Sequence, residues 1–183
     1  MRSQFKALLG ASWSVCGLLA ACSGCASTGV PTIRQPDTSL FGFVRLEREA
    51  GRGLHDLYLE SQRRGVELAA CLYGTTVRHS EVPDQPWELV VESVARANIS
   101  WADSANISYD FPTCPDRTGY LGKAHTHFSN NSYHSETDLR SFWANPKDLI
   151  SLVVWSVGKE SVRFTWRLKH GLGGMVEYRL EAK

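Results

Sequence analysis

The sequence predicts a mixed α/β domain of two helices and seven or so strands. Three observations predict it. Short apolar runs of strand length recur along the chain, separated by Gly, Pro and Asn turns. Two segments, 54–64 and 135–144, place their apolar residues at helical spacing instead. The chain is 43% hydrophobic and 21% charged over 183 residues, a globular balance sufficient for one core.

The elements follow in order. Residues 40–46 alternate loosely and suit a first strand. Leu54, Leu57, Tyr58 and Leu59 define a helix over 54–64, and Gly65 ends it. Residues 66–77 form a mostly apolar run that suits a buried strand. Leu89, Val90, Val91 and Val94 predict a strand over 87–99 with a bend or extension, and 105–111 suits another short one. A strand over 120–128 carries two histidines, and 130–134 is a polar loop. The second helix, 135–144, has Leu139, Phe142 and Trp143 on one side. Strands over 149–157, 161–168 and 175–180 close the chain, with Gly158 and the glycines of 171–174 at the turns.

The N-terminus predicts targeting. Arg2 and Lys6 precede an apolar stretch over 7–21. That stretch fits a secretory segment and is short for a membrane span, which needs roughly 20 apolar residues. It ends in Leu19-Ala20-Ala21-Cys22, which resembles the lipobox of bacterial lipoproteins. The resemblance implies a signal peptide over 1–21 and lipid on Cys22. With that Cys22, residues 22–39 read by their Ser, Gly, Thr and Pro content as a flexible tether, and the folded domain is expected over 40–183. Ser23 after the lipidated residue implies outer-membrane sorting, with the domain facing the periplasm. The alternative is an ordinary cleavage site with an incidental cysteine.

The formal net charge is +1, and removing 1–21 takes two basic residues and leaves −1. No basic block argues for nucleic acid, and none is expected as a partner. Cys25, Cys71 and Cys114 remain in the mature chain. The periplasm is oxidising, which makes Cys71 and Cys114 candidates for a disulfide. The other reading is a buried Cys71 in its strand and a surface Cys114. Cys22-Ser23-Gly24-Cys25 matches C-x-x-C but has no fold context for redox chemistry.

The chemistry gathers at His125-Thr126-His127 and Ser135-Glu136-Thr137-Asp138. On a strand, residues i and i+2 project from one face. His125 and His127 can then grip one ion, with Asp138 as third ligand. Three protein ligands leave one position open, the arrangement of catalytic zinc. Ser135-x-x-Asp138 also reads as a helix cap. Lys123 and Thr126 are expected on the strand's opposite side.

The pattern H-[S/T]-H-x7-S-x2-D resembles the JAMM metallopeptidases, also called the JAB/MPN domain. That family also carries an upstream glutamate with a glycine seven positions later. Glu67 and Gly74 fit, directly after the first predicted helix, and Gly122 matches the strand entry. The resemblance covers about 54–157. It implies a curved sheet flanked by helices, as in the cytidine deaminase-like folds. It implies one Zn²⁺ held by His125, His127 and Asp138, with Glu67 as general base and Ser135 as oxyanion donor. The implied activity is hydrolysis of a peptide or isopeptide bond in the cell envelope. One departure is Phe128, where the family commonly has proline. No ligand is lost by it.

His134 is a candidate fourth ligand or substrate contact, with a plain loop histidine as the other reading. His55, His79 and His170 receive no role, and Trp101, Trp143, Trp155 and Trp166 read as core or groove wall. Two other functions compete with the peptidase. One is a non-catalytic envelope module on the same fold that binds a protein or metal. The other is a copper-handling lipoprotein, since imidazole binds copper more tightly than zinc.

Overall fold

Seven strands hydrogen-bond in one sheet, and alternate residues along the two central strands point to two different environments. The computed structural model describes residues 41–81, 87–128, 131–156, 161–169 and 173–179. The predicted signal peptide, lipidated Cys22, tether and His170 lie outside them. The described residues fall in one compact unit, Gln35–Lys183. Among them, no helix is long and apolar enough to cross a membrane.

The chain runs through β1 (Phe41–Leu46), α1 (Arg48–Arg64), β2 (Ala69–Arg78) and β3 (Trp87–Arg96). It continues through β4 (Ile99–Ala102), β5 (Ile107–Tyr109), β6 (Tyr120–Thr126) and α2 (Glu136–Ala144). It ends with β7 (Ile150–Trp155), β8 (Ser161–Leu168) and β9 (Gly173–Arg179). The large sheet has the order β1-β3-β2-β6-β7-β8-β9, while β4 and β5 form a separate ribbon. The β1–β3 and β6–β7 pairs are parallel. The other described pairs are antiparallel, and α2 lies in the β6-to-β7 crossover.

The mixed α/β expectation holds, with element ends adjusted. The first helix begins at Arg48 rather than residue 54. Gly51 and Gly53 argue against a helix by propensity, but tertiary packing overrides them. A Cβ on Gly53 would come within 2.4 Å of Val94 Cγ2, so glycine lets α1 press closely on β3. Ala50, Leu54, Leu57 and Ser61 form its buried stripe, at the spacing of one helical face. Gly65 ends the helix at φ 67°, donating its N–H to the Ser61 carbonyl. The strand expected over 87–99 breaks at Ala97–Asn98 into β3 and β4. Residues 66–68 precede β2 instead of belonging to it.

Two bulges curve the middle of the sheet. Register shifts at Tyr73/Gly74 against β3 and at Leu72/Tyr73 against β6, and bulges bend and twist a strand locally. Gly74 and Gly122 serve this backbone crowding. A Cβ on Gly74 would lie 1.9 Å from the Val90 carbonyl oxygen, and one on Gly122 (φ 154°) 1.9 Å from that of Ile150.

One sheet face packs on α1. Ala70, Leu72, Leu89, Val91, Ala124, Ile150, Leu152 and Val154 meet Leu54 and Leu57 in the main core. The opposite face carries a smaller cluster of Ala69, Cys71, Tyr73 and Ala97, with Ile99, Ile107, Cys114 and Tyr120 packed against it. A Cys71–Cys114 disulfide joins β2 to the segment that follows the β4–β5 ribbon.

Candidate metal centre

The histidines occupy the second face because of strand parity. Ala124 points into the main core, so Lys123, His125 and His127 point the other way. His125 pairs with Ala69 of β2 and Val153 of β7. His127 follows the strand, and its N–H still donates to the Val154 carbonyl at 2.9 Å. Both rings are buried.

His125 Nε2 and His127 Nε2 lie 3.1 Å apart. Asp138 Oδ2 lies 3.4 Å from the first and 3.7 Å from the second. Among the described residues these three can hold a metal ion. Their separations suit one. Tetrahedral ligands at about 2.0–2.1 Å from zinc stand about 3.3 Å from each other. The tautomer also suits one. The His127 Nδ1 site faces the Asn131 carbonyl at 2.9 Å. An Nδ1–H donated there leaves the Nε2 lone pair aimed at its neighbours.

A capping box delivers the carboxylate. Ser135 is the N-cap of α2. Its Oγ accepts the Asp138 N–H at 3.1 Å, and its own N–H donates to Asp138 Oδ2 at 2.7 Å. The cap and ligand readings of Ser135-x-x-Asp138 are therefore compatible in one geometry. Burial pushes the Asp138 carboxyl upward, but the His125 and His127 rings and Ser135 outweigh it and hold it well below the usual range. Burial likewise pulls His127 down, and Asp138, the Asn131 carbonyl and Glu67 bring it above its ordinary value.

Glu67 sits in the short link between α1 and β2, and is only 7% exposed. Burial pushes its carboxyl up, and the two histidines partly counter this. Three elements fix the link. The Glu67 N–H donates to the Asp103 carbonyl at 2.6 Å. The Leu68 N–H donates to Thr126 Oγ1 at 2.9 Å, and the Thr126 N–H to the Leu68 carbonyl at 2.8 Å. Thr126 Oγ1 donates to Ser61 Oγ at 2.8 Å, which donates to the Val66 carbonyl at 2.7 Å. The residue between the two histidines thus clamps the chain on either side of Glu67.

Glu67, His125, Ser135 and Asp138 open on one cavity of about 250 Å³. The Ser135 hydroxyl uses a lone pair for the cap, which leaves its hydrogen free to donate. His134 stands outside the three-ligand group. Its Nε2 lies 3.2 Å from Ser151 Oγ, and burial, then His125, lowers its pKa to about 4. His55 is buried on α1, and half-buried His79 pairs with Glu81 and Glu88. Trp155 is buried, while Trp101 and Trp143 are exposed.

Lys123 corrects an expectation. It was assigned to the side opposite the ligands, but it lines the same cavity as His125. It stands two residues before His125, so strand parity requires this. Thr126 does take the opposite side. The roles of Thr126, Ser61 and Asn131 carry no motif that the sequence could signal, because each acts through its place in the fold.

No protein-family model matches the chain, and no curated protein does. A solved structure described as "JAMM: A Metalloprotease-like Zinc Site in the Proteasome and Signalosome" is similar over 73% of this chain and 94% of its own, at 14% identity and a TM-score of 0.43.

Proposed function

We propose that this protein is a zinc-dependent hydrolase of the JAMM type that cleaves a peptide or isopeptide bond. The observation that carries the reading is the convergence of two imidazole nitrogens and a carboxylate oxygen at tetrahedral spacing, beside a buried carboxylate that belongs to none of the three ligands. His125, His127 and Asp138 would hold the ion. Zinc, when bound, supplies Lewis acidity and lowers the pKa of water toward about 7. Glu67 takes the proton from the attacking water and returns it to the leaving amine. Its link is clamped by Thr126, Ser61 and Asp103, which keeps the carboxylate aimed into the cavity. Ser135 donates its hydroxyl hydrogen to the oxygen that gains charge as the amide carbon is attacked.

The cellular part of the proposal rests on the sequence. A lipid on Cys22 anchors the protein in the bacterial envelope, at the outer membrane facing the periplasm. Peptides or proteins of the envelope are then the reachable substrates.

Metal analysis and one variant test the reading. The purified protein is expected to carry one zinc, lost in His125→Ala. Copper bound tightly without hydrolysis would instead favour a copper-handling protein, and metal-free protein a binding module. Glu67→Gln is expected to retain zinc and lose about 10²–10⁴-fold in hydrolysis of envelope-derived peptides. Full activity in that variant would remove Glu67 from the mechanism.

A further inference from the structure

Of the three ligands, His125 and Asp138 line the cavity. Lys123 of β6, Ser151 of β7 and Asp148 line it too, with Ile107, Tyr109 and Phe142 as apolar walls. Lys123 stands on the same strand face as His125, about 6.6 Å along it at the usual strand rise. Asp148 is the floor, only 1% exposed. Its Oδ1 already accepts from Tyr120 Oη at 2.5 Å and Asn145 Nδ2 at 2.8 Å. Its Oδ2 forms an ion pair with Lys123 Nζ at 3.2 Å. An ammonium carries three donors, so this pairing leaves others for a ligand in the cavity. Lys123 also lies 5.4 Å from the Tyr109 ring centre, which steers it without using a hydrogen.

Behind the wall, Lys169 donates to the Phe142 and Asn145 carbonyls and so is spent on the backbone. Lys123 is the one Lys or Arg among the residues that line the cavity. Of the Lys123–Asp148 pair, the cation is the more exposed partner, at 20% against 1%. An incoming anion meets an amine with donors to spare, next to an Asp148 that is itself buried.

We propose that Lys123 is a specificity residue that binds a free carboxylate on the substrate, within one residue of the bond cleaved. This rests on the hydrolase reading and narrows its substrates. Lys123 lines the same cavity as His125 and Asp138, so its ammonium and the ligands face one bound molecule. The buried Asp148 floor gives a longer chain nowhere to continue. The cavity of about 250 Å³ is also smaller than the roughly 300–1,000 Å³ typical of pockets for larger ligands. The substrates implied are peptides or amides whose residue beside the scissile bond carries an unblocked carboxylate.

The test compares the binding of N-acetylalanine and of N-acetylalaninamide to the protein as purified, with Lys123→Met as the control for a carboxylate held by the metal instead. A charge-assisted hydrogen bond implies at least about tenfold tighter binding of the acid. Lys123→Met is expected to abolish that preference, and Lys123→Arg to keep it. Equal binding of acid and amide by the unaltered protein would overturn the proposal. So would an undiminished preference in Lys123→Met. If that variant fails to fold because Asp148 is left unpaired, Lys123→Met/Asp148→Asn removes both charges and serves the same comparison. The zinc-loaded protein is then assayed on dipeptides ending in acid or amide, with at least about a tenfold kcat/KM advantage expected for the acid. Hydrolysis of both at equal rates sinks the carboxylate subsite and spares the hydrolase. Acid-selective binding without zinc-dependent hydrolysis sinks the hydrolase and spares the subsite.

Discussion

The two faces of the central sheet are built from the same strands and do opposite work. On β6 and β7, Ala124, Leu152 and Val154 turn toward α1 and close the main core. Their neighbours Lys123, His125 and Ser151 turn the other way and line a polar cavity. The α1 face is apolar and needs no covalent help. The site face has a smaller apolar cluster, and a Cys71–Cys114 disulfide ties β2 to the segment that follows the ribbon. A surface that must keep histidines and carboxylates accessible cannot also bury enough carbon to hold itself together. The disulfide substitutes for the missing core.

That contrast can be broken in three places. The largest loss of stability is expected from Cys71→Ala/Cys114→Ala. Releasing a cross-link across a sequence separation of 43 residues costs about 4 kcal/mol in the chain-entropy view. Because the link lies on the site face, zinc affinity is expected to fall as well. Urea unfolding and a zinc titration check this, and unchanged affinity would make the bridge a purely global staple. Next is Leu54→Ala on the opposite face, expected to cost about 3 kcal/mol by cavity formation. Measured on metal-free protein below its transition, zinc affinity should stay as it was; a matching loss of affinity would show that the faces are not separable. The smallest effect on stability, about 2 kcal/mol, belongs to Thr126→Val, which removes a hydroxyl bonded to Leu68 and Ser61. This variant should keep zinc and yet lose hydrolysis, because the clamp around Glu67 loosens. A variant that loses stability alone would confine Thr126 to folding.

Much of the site was legible because its chemistry is local. His125-x-His127 needs only strand parity, and Ser135-x-x-Asp138 needs only the first turn of a helix. Glu67 rests on its resemblance to a pattern, and its link precedes the strand instead of lying in it. Lys123 was equally legible by parity and was misread. Asp148 was not legible at all. Its partners Tyr120, Asn145 and Lys123 come from β6 and the link after α2, and only the folded crossover assembles them. The early start of α1 was hidden for a similar reason. Gly51 and Gly53 argue for a loop until β3 is known to lie against them. The mixed α/β class survived these errors, since it depends on the period of each run and not on its ends.

Asp138 Oδ2 serves three partners at once, accepting the Ser135 N–H while facing both imidazoles. The first turn of α2, capped by Ser135, thus presents the oxygen already oriented to an ion, and an ion held there is expected to fix the same turn in return. The backbone amide of Ser135 is its natural reporter: its exchange with deuterium should slow when zinc is added, at a position where no metal is ever bonded.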